Sequence, residues 1–148
     1  MRVSVQQAPF EIGKEVDAFS KNVAGSGAIV TFSGVVRDVE PGLQSMTIEH
    51  YPGMTERALT DIAETAISRW SLQDCLIIHR YGTLGPGDQI MMVATAATHR
   101  KAAFESAEFL MDYLKSRAPF WKKELTAKGE NWVAAQDTDE AALDRWTP

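Results

Sequence analysis

The chain has 148 residues, 45% apolar and 24% charged, with 15 basic against 20 acidic side chains and a formal net charge of −5. This balance suits one globular domain over residues 1–148 with a core of its own, and it argues against non-specific nucleic-acid binding, which runs on surplus positive charge. The single cysteine, Cys75, excludes an intramolecular disulfide and a cysteine-rich zinc cluster. It fits a reducing compartment. No apolar run approaches the ~18 residues needed to cross a bilayer, and the N-terminus lacks a signal-peptide apolar region, so the chain reads as cytoplasmic.

In chain order, Met1–Glu11 looks like an edge strand. Residues 14–24 place Val16, Phe19 and Val23 at helical spacing, closed by Gly25 and Gly27. Ala28–Val36 is β-branched and predicts a strand. Gly34 within it marks a bulge or a close approach. Pro41-Gly42 predicts a mobile loop over Asp38–Gln44, and Ser45–Tyr51 alternates as a half-buried strand. Residues 55–70 carry a strong amphipathic helical pattern. Leu76–Leu84 and Gln89–Thr95 predict apolar strands joined as a hairpin through Gly85-Pro86-Gly87-Asp88. Residues 99–117 predict a second long helix, stopped by Pro119. A short strand near Trp132–Ala135 and an acidic helical tail to Trp146 complete the chain. Strands and helices mix without regular βαβ repeats. The expected class is therefore α+β, a mostly antiparallel sheet covered on one face by two long helices.

Charge placement is the informative feature. Between His99 and Lys123 lie six lysines or arginines (Arg100, Lys101, Lys115, Arg117, Lys122 and Lys123) against three acids. Cations at a helix start oppose the helix dipole by ~0.3–1 kcal/mol each. Their presence at 99–101 makes sense if an anion binds there. Lys115 and Lys122 sit among bulky apolar side chains, surroundings that lower a lysine pKa and fit it for acid, base or nucleophilic work. The plainer reading is that Lys115 and Arg117 complement a helix C-terminus; on the residues alone both readings stand. Arg37 ends a strand just before a loop, a usual place for a binding residue; its plainer reading is a surface pair with Asp38.

The remaining signals point to structure. His50, His79 and Glu49 read as structural strand residues, and Cys75 as a small core residue. Three scattered histidines and one cysteine give no metal-ligand spacing. Glycine-rich nucleotide cradles do not occur in the sequence. Neither a metal nor a cofactor is expected.

Five segments in order carry a resemblance: G-A-I-V-T-F-S-G-V-V-R-D at 27–38, E-H-Y-P-G-M-T-E-R-A-L at 49–59, H-R-Y-G-T-L-G-P-G-D at 79–88, A-T-H-R at 97–100 and M-D-Y-L-K-S-R-A-P-F-W-K-K-E at 111–124. Together they resemble the large, catalytic subunit of molybdopterin synthase, over about Phe10 to Trp146. The resemblance implies an α/β-hammerhead fold and a sulfurtransferase of molybdenum cofactor biosynthesis. Such an enzyme converts a cyclic pyranopterin monophosphate into the dithiolene of molybdopterin. Sulfur arrives as a thiocarboxylate on the C-terminal Gly-Gly tail of a small ubiquitin-like subunit. A homodimer with one small subunit at each end makes a heterotetramer.

By the same resemblance Lys115 and Lys122 are the catalytic lysines. Arg37, His99, Arg100, Lys123 and Glu124 belong to the substrate site with Val35 and Val36, and Phe32 and Met111 line it. The His99–Arg100 pair reaches the pocket from the other protomer. Some relatives carry a lysine where this chain has Val35, or an arginine near Gln136. Two alternatives are a non-catalytic module for a phosphorylated metabolite and a scaffold for a ubiquitin-like protein.

Overall fold

The β-branched and apolar runs form strands, but they divide between two sheets. The computed structural model describes residues 1–39, 42–133 and 137–147. In order these are β1 (Arg2–Gln6), α1 (Ile12–Lys21), β2 (Ala28–Val35), β3 (Leu43–His50), α2 (Met54–Trp70), β4 (Asp74–Arg80), β5 (Gly82–Leu84), β6 (Gln89–Ala97), α3 (Arg100–Ser116), β7 (Phe120–Thr126), β8 (Gly129–Trp132), α4 (Asp137–Ala142) and a 3-10 turn, Leu143–Trp146. The first sheet has the order β1-β4-β6-β2 and the second β5-β3-β7-β8. Among the described strands only β1 and β4 pair in parallel, so the class is α+β and mostly antiparallel, as expected.

The central strands of the first sheet read as continuous apolar runs because both faces are covered. Leu76, Ile78, Met92 and Ala94 pack with Phe19 of α1 and Val23 just beyond it. Cys75, Ile77 and Val93 lie on the other face, in the larger core with Leu59 and Ala63 of α2 and Leu110 and Leu114 of α3. The two long helices thus cover one face of one sheet. Gly34 is both a bulge and a close approach. The β2–β6 register shifts between Gly34 and Val35, and a Cβ at Gly34 would sit 3.3 Å from Met91 Sδ.

Two sequence expectations are corrected. The expected strand 76–84 is two strands. Tyr81 interrupts it, its N–H donating to Gln6 O at 3.0 Å. Gly82 then turns at φ +96°, a conformation glycine adopts freely. β5 joins the second sheet beside β3, so Gly85–Asp88 connects two sheets and is not a hairpin turn. That turn grips the end of β2: Val36 N–H donates to Asp88 O at 2.9 Å and Gly87 N–H to Val36 O at 2.8 Å.

The second correction concerns residues 120–132. The expected strand near Trp132–Ala135 is β8, which ends at Trp132, and Ala134 and Ala135 lie outside the described residues. Its partner β7 was hidden in the sequence, because its lysines and glutamate draw attention as a charge run. α1 also begins and ends earlier than the spacing over 14–24 predicts. Part of the predicted loop, residues 40–41, lies outside the described residues. The loop base is held by Asp38 Oδ1, which accepts from Val39 N–H at 2.9 Å and Leu43 N–H at 2.7 Å.

Candidate functional site

The site is built at the turn from α3 into β7. Lys115 occupies the last turn of α3, where a cation complements the dipole. Met111, four residues earlier, lies on the same helix face and packs against the core. The helix closes as Arg117 and Ala118 N–H groups both reach Tyr113 O, at 2.7 and 3.1 Å. Pro119 has no N–H to continue it, and β7 starts at Phe120.

Alternation along β7 sorts its charges. Lys122 stands opposite Ile48, 1% exposed, and Glu124 opposite Met46, 9% exposed, so both point to the covered side. Lys123 stands opposite Thr47 and Trp132 on the other side. There its ammonium lies 3.4 Å from Glu130 and 5.1 Å from the Trp132 ring. The lysines at 122 and 123, adjacent in sequence, therefore belong to different surfaces, and Lys123 is not brought to the Lys122 side.

Burial pushes the Lys122 amine below its ordinary value, the charge of Lys115 pushes it further, and Asp139 of α4 opposes both. Lys122 is the half-buried member of the pair and Lys115 the exposed one. The apolar surroundings read from sequence for both lysines hold for Lys122. Beneath them lies His79, 4% exposed. Its ring stacks on Phe120 at 3.7 Å and 15°, and Nδ1 is 2.8 Å from Arg80 O. A carbonyl only accepts, so Nδ1 carries the proton. Burial, with Lys122, Lys115 and His50 nearby, holds His79 down at about 3 despite that hydrogen bond. It is neutral at physiological pH.

Arg37 follows β2 at the same end of the first sheet. Val35 pairs with Gln89 at the start of β6, and Arg80 Nη1 donates to Gln89 O at 3.4 Å. The ends of β2 and β4 are thus two strand spacings apart, about 10 Å. The pairing of Arg37 with Asp38 gives way to another use of that carboxylate, the capping of the loop base. Val36 is 2% exposed with both backbone groups engaged, so it supports the site as core. Val35 and Phe32 are exposed, at 46% and 44%. Phe32 pairs with core-facing Val93 and so projects on the side covered by α3.

His99 and Arg100 lie elsewhere. They open α3 and are exposed. Fifteen residues of helix from Arg100 to Lys115 span about 22 Å. Within one chain Lys115 and Lys122 lie near each other across the α3–β7 turn, Arg37 follows β2 at the end of the first sheet where His79 lies, and His99 and Arg100 open the far end of α3. Gln136 lies outside the described residues.

Sequence reading assigned His79 to structure but missed what it supports, and it gave Thr55 no role beyond its place in the 49–59 segment. Neither has a motif or spacing that connects it to residues 115–122. Cys75 is as expected: 1% exposed, its thiol is pushed up to about 12, chiefly by burial and then by Asp74. It is no nucleophile at neutral pH. Among the described residues no cluster of His, Cys, Asp or Glu is arranged to hold a metal ion, and no helix is long and apolar enough to cross a membrane.

Known proteins share this fold. The pattern of the MoaE protein family matches residues 5–117. The chain is 66% identical over 146 residues to the molybdopterin synthase catalytic subunit of Cereibacter sphaeroides, covering 99% of this chain and 100% of that protein. The solved molybdopterin biosynthesis MoaE protein of Burkholderia ambifaria MC40-6 superposes with a TM-score of 0.84 at 52% identity, covering 97% and 96% of the two chains. The fold also recurs, at a TM-score of 0.76, 19% identity and coverage of 91% and 90%, in a protein–protein complex of subunits 1 and 2 of the molybdopterin-converting factor of Helicobacter pylori 26695. With the strand-end arginine, the lysine pair across the α3–β7 turn and near-complete coverage in hand, the chain belongs to the MoaE family, that of the molybdopterin synthase catalytic subunits.

Proposed function

We propose that this chain is the catalytic half of a cytoplasmic molybdopterin synthase and that Lys115 and Lys122 are its reacting side chains. The small subunit brings a C-terminal thiocarboxylate, and the acceptor is a cyclic pyranopterin monophosphate. One copy leaves His99 and Arg100 about 22 Å from Lys115, so a second copy supplies them. A two-fold dimer then carries two identical sites. With one small subunit at each, the assembly is a heterotetramer.

In this reading Arg37 and the partner protomer's cationic pair hold the phosphate, and the cations stabilise charge that develops as sulfur attacks. Phe32 and Met111 wall the site, beside the exposed Val35. Lys115 polarises the thiocarboxylate carbonyl. Lys122 moves protons as the pterin loses oxygen as water, and Glu124 projects from the same face of β7. No metal or cofactor enters the scheme.

The observation that carries this reading is the placement of Lys122, half-buried opposite Ile48 on the covered face of β7 and close to Lys115, where burial and the neighbouring charge lower its amine. A site built only to hold an anion gains from full charge on both amines. A lowered amine weakens binding and serves proton transfer. That favours an enzyme over a metabolite-binding module or a scaffold. Reconstitution tests it: the chain, thiocarboxylated small subunit and cyclic pterin monophosphate are expected to yield dithiolene product, two sulfurs per pterin. Tight binding of the pterin with no product formed would contradict the reading.

A further inference from the structure

The spacing of the lysine pair is set by the turn between them, and two residues far away in sequence hold that turn. The turn provides few bonds of its own. Pro119 lacks a donor, and Phe120 N–H turns back to Ala118 O, at 2.8 Å. The carbonyl of Pro119 is taken by Thr55, which is wholly buried and donates its hydroxyl proton at 3.1 Å. The Thr55 hydroxyl oxygen, Oγ1, in turn accepts from Tyr51 N–H at 3.0 Å, while Thr55 N–H returns to Tyr51 O at 2.9 Å. One hydroxyl, both donor and acceptor, thus ties the turn to the start of α2. One residue further on, Phe120 lies flat on His79, whose Nδ1–H is spent on Arg80 O. Phe120 is in the second sheet and His79 in the first, so the stack also fixes Lys122 relative to the body that carries α3.

We propose that Thr55 and His79 are positioning residues that clamp the Ser116–Phe120 turn and thereby set the distance between Lys115 and Lys122. The proposal rests on the reading of those lysines as the reacting groups. It gives a role to two motifs, at 49–59 and 79–88, that the chemistry of the cations leaves unexplained. Asp139 of α4 acts on Lys122, both lysines and His50 of β3, whose Nε2 is 3.7 Å from Glu56 of α2, act on His79 of β4, and Glu124 shares the Lys122 face of β7. His79 contributes no charge to this set, so its influence is one of placement.

The test measures single-site turnover with thiocarboxylated small subunit and cyclic pterin monophosphate for Thr55→Val, Thr55→Ser, His79→Ala and His79→Phe, with Lys115→Ala as control. Folding is checked by circular dichroism. Thr55→Val keeps the shape and loses the hydroxyl; His79→Phe keeps the stacked ring. Misplacing a reacting group by about 1 Å costs up to ~100-fold, so Thr55→Val and His79→Ala are expected to lower kcat by about tenfold or more. KM for the small subunit should not move. Thr55→Ser and His79→Phe are expected to restore kcat to within about threefold of the parent. If Thr55→Val does not fold, the two His79 variants decide the matter. Equal losses in Thr55→Ser and Thr55→Val, or parental kcat in Thr55→Val and His79→Ala with Lys115→Ala inactive, would overturn the clamp alone. Parental turnover in Lys115→Ala would remove the lysine assignment and the clamp with it.

Discussion

Lys115→Ala is expected to fold as the parent does and to lose turnover by roughly 10²- to 10⁴-fold, the range contributed by a positioned acid–base group. Stability should change little, because the side chain is exposed at a helix end and surface substitutions of this kind stay within about 0.5 kcal/mol. Lys115→Arg separates two roles: it keeps the charge but does not give up a proton at working pH. Partial activity in it marks an electrostatic contribution; loss as deep as in Lys115→Ala marks proton transfer. The variant also has a signature in pH. Lys122 lies below its ordinary value first through burial and then through the charge of Lys115. Removing that charge favours the protonated amine, so its pKa rises. An acid limb set by Lys122 deprotonation should then move to higher pH in whatever turnover remains. A limb moving to lower pH, or not at all, contradicts the coupling of the two amines.

Trp146→Ala is expected to cost about 3–5 kcal/mol in chemical denaturation, the usual range for emptying an aromatic core position. Trp146 is 8% exposed. Its ring meets Trp70 and Phe109 edge-on, at 5.6 Å to each centroid. Its indole N–H donates to Asp112 Oδ2 at 2.6 Å, and its carbonyl accepts from Arg69 Nη1 at 2.8 Å. Asp112 also receives Arg145, at 2.9 and 2.6 Å, so the tail is fastened at both ring and guanidinium. Trp146→Phe keeps part of the ring burial and should cost clearly less. The tail matters to the site because it carries Asp139, whose charge supports the protonated Lys122; a loosened tail lowers that amine further. A Trp146→Ala midpoint indistinguishable from the parent would mean that the tail contributes nothing to the fold.

The two long helices were legible in the sequence because their apolar stripes run for more than four turns and end at clear stops, Trp70 before Ser71 and Ser116 before Ala118-Pro119. β4 and β6 were legible as apolar runs, although which sheet each strand joined was not. Partnership in a sheet depends on contacts distant in sequence, and a run such as 76–84 carries no local mark that Tyr81 divides it between two sheets. β7 was missed for the opposite reason. Its period-two pattern is present, but lysines at 122 and 123 and Glu124 occupy both faces, and polar residues on a half-buried strand hide the alternation.

For the candidate site, the excess of cations over 99–123 drew attention to α3 and the start of β7, and the flanking Phe120 and Trp121 hinted at burial. The sequence did not reveal that burial falls on Lys122 and not on Lys115. Alternation puts Lys122 inward, while Lys115 ends an exposed helix turn. Nor did it reveal that Lys123 turns away toward Glu130 and Trp132. Thr55 was invisible for a plainer reason: a buried hydroxyl acquires meaning only when its acceptor, 64 residues on, is known.

A mixed-dimer assay addresses the account most directly, because neither set of cations suffices alone if the site spans two chains. Lys115→Ala and Arg100→Ala homodimers, each inactive or nearly so, are mixed and allowed to exchange subunits. Random exchange makes half of the dimers mixed, and each mixed dimer holds one intact site, so recovery to about a quarter of parental turnover is expected. Verified mixed dimers with no more activity than the separate variants would show that Arg100 and Lys115 do not meet across the two-fold, and the shared site would be lost.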